Sequence, residues 1–287
     1  MPILERSYGR WEGRRVPPER LWRVVTRHAL QDAFRSRLVL LVFCASFLLP
    51  LGAATFVYLT HNVSALASMR LDPAELLQID GWFFAGFMAW QCYWFGGLLA
   101  LLAGPSLVSA DLANGAFPLF LARPLTRARY VAGKLAALAL LLSAVTWVPG
   151  LLVYGLQASL AGSEWARAHV RIPFAIVAGS AAWIAALSLL TLAASALTRR
   201  KATAQTLLVA LLLGGQVVGA AFQDTLGTNW GFLVSVPEVM RSLVQVLYGV
   251  DIEAVLSGER VTFALVVLYG LSLLVLFRRL RAVEIVR

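Results

Sequence analysis

Residues 121–142 read LARPLTRARYVAGKLAALALLL. A cationic stretch carrying Arg123, Arg127, Arg129 and Lys134, turned at Pro124, runs without pause into a long apolar one. Lipid offers no partner to a free backbone amide, so such a run must be helical, and about 20 residues cross the hydrocarbon core. The basic residues mark the face of the membrane at which this span begins. Which face that is, and how often the pattern recurs, decides the fold.

The pattern recurs. Apolar runs at about 38–60, 82–103, 130–156, 172–197, 204–222 and 261–277 each reach spanning length. Composition agrees: 60% of the 287 residues are hydrophobic and only 14% are charged, a balance no soluble domain of this size carries. Pro149 falls near the far end of the third run, where a kink is tolerable. The expected fold is an all-α membrane protein: an N-terminal segment over 1–37 with an amphipathic interfacial helix, a six-span domain over 38–277, and a basic tail over 278–287. The first 37 residues are too charged for a cleaved signal peptide, so the first span is expected to target the chain.

The net charge of +10 is unevenly placed. Twenty of the 25 Lys and Arg residues lie in the N-terminal segment, the loop between spans two and three with the start of span three, Arg199–Lys201, and the tail. Arg70, Arg167, Arg171, Arg241 and Arg260 lie opposite. The positive-inside bias puts both termini in the cytoplasm, as an even number of spans requires, and a bacterial inner membrane is expected. The charge is spread over four segments without interleaved stacking aromatics, which argues against nucleic-acid binding.

Between the spans, residues 18–36 place Leu21, Val25, Ala29 and Ala33 on one helical face, with Arg23, Arg27, Gln31 and Arg35 largely on another. This basic amphipathic helix suits either a lipid anchor or a docking surface for a cytoplasmic partner. Asp72, Pro73 and Glu75 predict a short outer helix over Leu71–Asp80. Residues 223–260 are too polar to span and predict one or two short helices over the outer mouth, to gate release or to pack. Gly214 and Gly215, which interrupt the apolar run of the fifth span, and the ladder Ala178, Ala182 and Ala186 on the fourth are read first as packing signals that let helices approach closely. Trp90, Gln91, Tyr93 and Trp94, with Gln216, nominate the wall of a path for an amphipathic cargo, although an interfacial aromatic belt has the same composition.

No catalytic constellation emerges. GxxxxGK[ST], HExxH and GxSxG are absent. His28, His61 and His169 fall in three segments, and Cys44 and Cys92 lie in apolar runs without metal spacing. No catalytic, metal or cofactor site is expected in this chain. A secondary transporter would carry ionisable groups within its spans, and only Lys134, near a helix end, comes close.

Residues 104–134 read GPSLVSADLANGAFPLFLARPLTRARYVAGK. Asp111 and Gly115 lie in a break after the second span. Next come the short apolar segment Ala116–Ala122 with Phe117 and Phe120, then Arg123, a turn at Pro124 with Arg127, and Gly133–Lys134 leading into the third span. The chain here resembles the permease subunit of the type-2 ABC-transporter family, which carries an acidic residue, Gly, a short helix, Pro-x-x-Arg and Gly-Lys in this order. The six spans, the N-terminal helix and the basic tail agree with that family. Two departures are Ala116, where the family often has Thr or Ser, and His28–Leu30, where it often has Lys-Glu. The resemblance implies a dimer with a second copy or a sister permease. It also implies two copies of a separate ATPase, holding ATP and Mg, docked on a coupling helix within residues 111–129. Export across the membrane would follow, or, as the alternative, transmission of ATPase motion to a periplasmic or lipoprotein partner.

Overall fold

The computed structural model describes residues 17–62, 78–115 and 125–279. Among the described residues all regular structure is helical. Six helices are long and apolar enough to cross a membrane: Arg37–Thr60, Gly81–Ala113, Arg127–Ala161, Arg171–Leu197, Lys201–Leu226 and Gly258–Arg279. They match the six expected spans, and each runs on past the apolar stretch that marks it. Phe117, Phe120, Arg123 and Pro124, and residues 71–77 of the expected outer helix, lie outside the described residues. Asp80 caps the second span: its Oδ1 accepts the amides of Trp82 (2.9 Å) and Phe83 (3.2 Å).

The fourth span is the axis of the bundle. Its most apolar stretch is 67% buried, against 17% for the first and fifth spans. Small side chains permit this centrality. Ala186, Ala194 and Ser195 are buried, and Thr191 leaves so little room that a Cβ on Gly104 would lie 2.0 Å from its Cγ2. The sixth span docks on it through Tyr269, whose hydroxyl donates to the Ala182 carbonyl at 2.8 Å.

Three spans are broken, and in each a proline explains where. Proline lacks the N–H that would bond the carbonyl four residues back. Pro50, Pro105 and Pro149 therefore free the carbonyls of Ser46, Leu101 and Val145. Glutamine amides from other spans take all three. Gln91 Nε2 donates to Ser46 O (2.9 Å) and to Val145 O (2.5 Å), and Gln205 Nε2 donates to Leu101 O (3.0 Å). The first span bends at Ser46–Phe47 and the third at Thr146, whose φ of −108° and ψ of −94° leave the helical region. The second makes a π-helical turn over Gln91–Gly96, then breaks at Gly104–Pro105 before the helix Ser106–Ala113. Ser195 stitches that break: its Oγ donates to Pro105 O (2.6 Å) and accepts from Val108 N (3.2 Å) and Ser109 N (2.8 Å).

The fifth span is a continuous helix through Gly214 and Gly215. Gly215 and Gly219 serve the close approach expected of small residues, while Gly214 faces open space. A Cβ on Gly215 would lie 2.5 Å from Val234 O, and one on Gly219 would lie 2.3 Å from the Phe232 ring. After Gly227 (φ +62°) the chain turns back along the fifth span through the 3₁₀ helix Asn229–Val234. Gly215 is eleven residues before the end of that span, about 16 Å at about 1.5 Å per residue. The following helix, Val236–Tyr248, thus begins deep between spans and rises to the bundle end where the second span starts, near Gly81. The segment between spans five and six is therefore a re-entrant hairpin packed into the bundle, rather than a cover over its mouth.

Non-helical backbone at such depth must be satisfied by protein. The polar face of Val236–Tyr248 does this for residues 252–256. Glu238 Oε1 accepts from Val255 N (3.2 Å), Ser242 Oγ from Leu256 N (3.3 Å) and Gln245 Oε1 from Ala254 N (2.9 Å). Arg241 Nη2 donates to Ile252 O at 2.6 Å.

Candidate functional site

Two places gather the residues singled out in the sequence, one at each end of the bundle. At the basic end, Asp111 is on the helix Ser106–Ala113, two turns beyond the proline break, and not in an open loop. Its Oδ2 lies 2.9 Å from Lys134 Nζ and accepts the Tyr130 hydroxyl at 2.6 Å. Tyr130 and Lys134 stand one turn apart on the third span, so both reach the same carboxylate. The ammonium also lies 5.5 Å from the Tyr130 ring centroid. The pair is mostly shielded, with side chains 21% and 12% exposed.

This contact ties the last turn of the second span to the first turns of the third, the two feet of the 116–126 connection. Gly115, at φ +63°, ends the second-span helix in a left-handed conformation that glycine adopts without strain. Thr126 opens the third span, its Oγ1 accepting from Arg129 N at 3.4 Å. Arg127 follows in the first turn, where a cation opposes the helix dipole. It has no ion-pair partner among the described residues. Beside the tie, a cavity of about 360 Å³ separates the N-terminal helix Leu21–Phe34 from Asp111, Tyr130 and Lys134.

At the opposite end, Trp90, Tyr93, Trp94 and Gln216 line one groove of about 580 Å³ between the second span, the fifth span and the re-entrant helix. Trp90 and Trp94, 60% and 58% exposed, stack with centroids 5.9 Å apart. Tyr93 turns inward and donates to Pro237 O at 2.9 Å, fixing the re-entrant helix to the second span. Gln91 is not on this wall: it is fully buried, holding the two proline-freed carbonyls.

The structure adds residues that the sequence reading passed over. Tyr130 completes the basic-end tie; its spacing of four from Lys134 was the available signal. Glu238 and Arg241 bring charge to the groove, with Nη1 and Oε2 4.0 Å apart. Their i, i+3 spacing marked a common face, but nothing in the sequence placed that face against aromatics. Among the described residues no group of His, Cys, Asp and Glu is placed to hold a metal.

A polar tie at the feet of one connecting loop and an aromatic groove at the far end are what the six-helix bundle presents at its two ends. No curated protein sequence matches the chain. A family model described as ABC-2 family transporter protein matches residues 23–277, from the N-terminal helix to the end of the sixth span. The chain therefore belongs to the ABC-2 family of transporter membrane proteins.

Proposed function

We propose that the chain is the permease subunit of an ABC exporter, with its basic end and both termini in the cytoplasm of a bacterial cell. Two copies of a separate ATPase, which holds ATP and Mg, dock beneath a pair of such subunits at the 111–129 connection. The observation that carries the reading is the Asp111–Tyr130–Lys134 tie. A push on the connection reaches two spans that are already joined, so they move together. Phe117, Phe120, Arg123 and Pro124 supply the surface offered to the ATPase. Arg127, uncompensated at a helix N-terminus, offers it a cation, whereas Asp111 and Lys134 act from within as positioning residues.

At the other end, Trp90, Trp94 and Gln216, with Glu238 and Arg241, suit an amphipathic cargo with a charged head. Aromatic faces cover its apolar body and the opposed charges meet its head. The exposed flanks of the first and fifth spans are where a second permease copy packs.

The test is purification of tagged protein in mild detergent, with every retained subunit identified. An ATPase is expected with the wild type and reduced at least several-fold with Arg127→Glu. Recovery of no ATPase from either would end the permease reading. In parallel, single cysteines at 90, 94 and 216 should be protected by cargo from a water-soluble thiol reagent. Uniform labelling regardless of cargo would remove the groove from the path.

A further inference from the structure

We infer that the crevice between the N-terminal helix and the foot of the third span is a binding site for an anionic phospholipid. The inference rests on the placement of the basic end at the cytoplasmic leaflet, but not on ATPase docking.

The site follows from how the N-terminal helix is seated. Thr26 and Ala29 are buried against the third span, and the Thr26 hydroxyl, bonded to Trp22 O in its own helix (2.9 Å), also reaches Gly133 O at 3.0 Å. The approach is close: a Cβ on Gly133 would lie 2.7 Å from Val25 Cβ and 2.8 Å from Trp22 O. With this face fixed, one flank of the helix looks toward Asp111 and Lys134. The other presents Arg23, Arg27, Gln31 and Arg35 at four-residue steps along a second crevice of about 840 Å³.

That crevice has two chemistries. Its floor is Trp22, Leu30, Phe34 and Leu140, and its rim is the arginine stripe. Leu140 is 55% exposed and lies within the third span, almost two turns beyond Lys134, so the floor continues into the lipid-facing surface. The rim is under-neutralised. Arg35 pairs with Asp32 at 3.1 Å, but Arg23 and Arg27 have no carboxylate within ion-pair distance among the described residues. Arg23 lies over the Trp22 ring at 5.4 Å, and both side chains line the crevice. Guanidinium forks match phosphate oxygens, and an apolar floor open to the bilayer matches acyl chains. A soluble anion would satisfy the rim and leave the floor bare. The volume lies within the range of about 300–1,000 Å³ usual for small-ligand sites. Topological bias alone asks for positive charge on this side, not for a stripe along one crevice. Basic clefts beside spans on the cytoplasmic side are suited to anionic headgroups.

The experiment uses the full chain in detergent, titrated with short-chain phosphatidylglycerol or phosphatidylcholine and read by native mass spectrometry. Wild type is expected to prefer phosphatidylglycerol on the order of tenfold or more. The variant R23Q/R27Q/R35Q should fall within about twofold of no preference, and R23K/R27K/R35K should keep part of it. Leu140→Trp, which fills the floor with the arginines intact, should also lose the bound lipid while its melting temperature holds. Absence of preference in wild type, or its persistence in the glutamine variant, overturns the inference. So does equal competition by free glycerol phosphate, which would make the crevice a phosphate site without lipid. Thiol labelling of an Arg20→Cys variant from either side of sealed vesicles tests the orientation separately, so that its failure is not mistaken for failure of lipid binding.

Discussion

The sites at the two ends of the bundle are each built around a carboxylate–cation pair, and the two pairs are built oppositely. At the basic end Asp111 and Lys134 come from different spans, meet at 2.9 Å, and share a tyrosine hydroxyl. At the groove Glu238 and Arg241 share one helix and stand 4.0 Å apart. Each spends its other polar atoms on nearby backbone, at Val255 N and Ile252 O. A short, shielded pair between elements joins them. A long pair within one element keeps Glu238 buried but leaves the half-exposed Arg241 guanidinium available to whatever enters beside it.

The first way to break this comparison is to remove one member of the joining pair. Lys134→Met strands the Asp111 carboxylate in a mostly shielded site, at a cost of about 3 kcal/mol, the low end of the range for buried pairs. Thermal unfolding in detergent measures it, and adding Asp111→Asn should restore part of the loss. Gln91→Leu comes next. It leaves two buried carbonyls without donors, at about 1–3 kcal/mol each, and Gln205→Leu should cost about half as much because it strands one. Gly219→Ala drives a methyl into the Phe232 ring and should cost about 1–3 kcal/mol unless the re-entrant hairpin lifts away, which cysteine cross-linking between the fifth span and residues 229–234 would show. The smallest effect belongs to Glu238→Gln. Glutamine still accepts from Val255 N and gives up only a pair 4.0 Å long, so stability should change by about 1 kcal/mol, one hydrogen bond's net worth, while affinity for cationic amphiphiles falls. If Glu238→Gln destabilises as much as Lys134→Met, the contrast between the two pairs is wrong.

The spans were legible because hydropathy is a local property that lipid enforces residue by residue. Pairings across long separations were not. Asp111 and Lys134 are 23 positions apart with a loop between them, and their meeting depends on the proline break at 105 redirecting the second span. The re-entrant hairpin was misplaced for a related reason. The segment is too polar to span, yet Glu238, Ser242 and Gln245 spend that polarity on the backbone of residues 254–256. Gln91 stood out as a polar side chain inside a span and was grouped with the aromatic wall. The better clue lay elsewhere: Pro50 and Pro149 each free a carbonyl, and a buried amide is the natural donor for both. Four of the five residues nominated for the path do share one groove, because the period of the π-turned second span keeps Trp90, Tyr93 and Trp94 facing the fifth. The segment Ala116–Ala122 lies outside the described residues, so only the feet that hold it are seen.

The proline breaks carry a mechanical consequence. One amide, on Gln91, closes the backbones of the first and third spans from a position on the second, at a single depth. Three helices thereby share a rivet. Parting any of them would abandon a carbonyl in a dry interior, so a shove at one foot travels upward as displacement of a stiff strut and is not dissipated as bending.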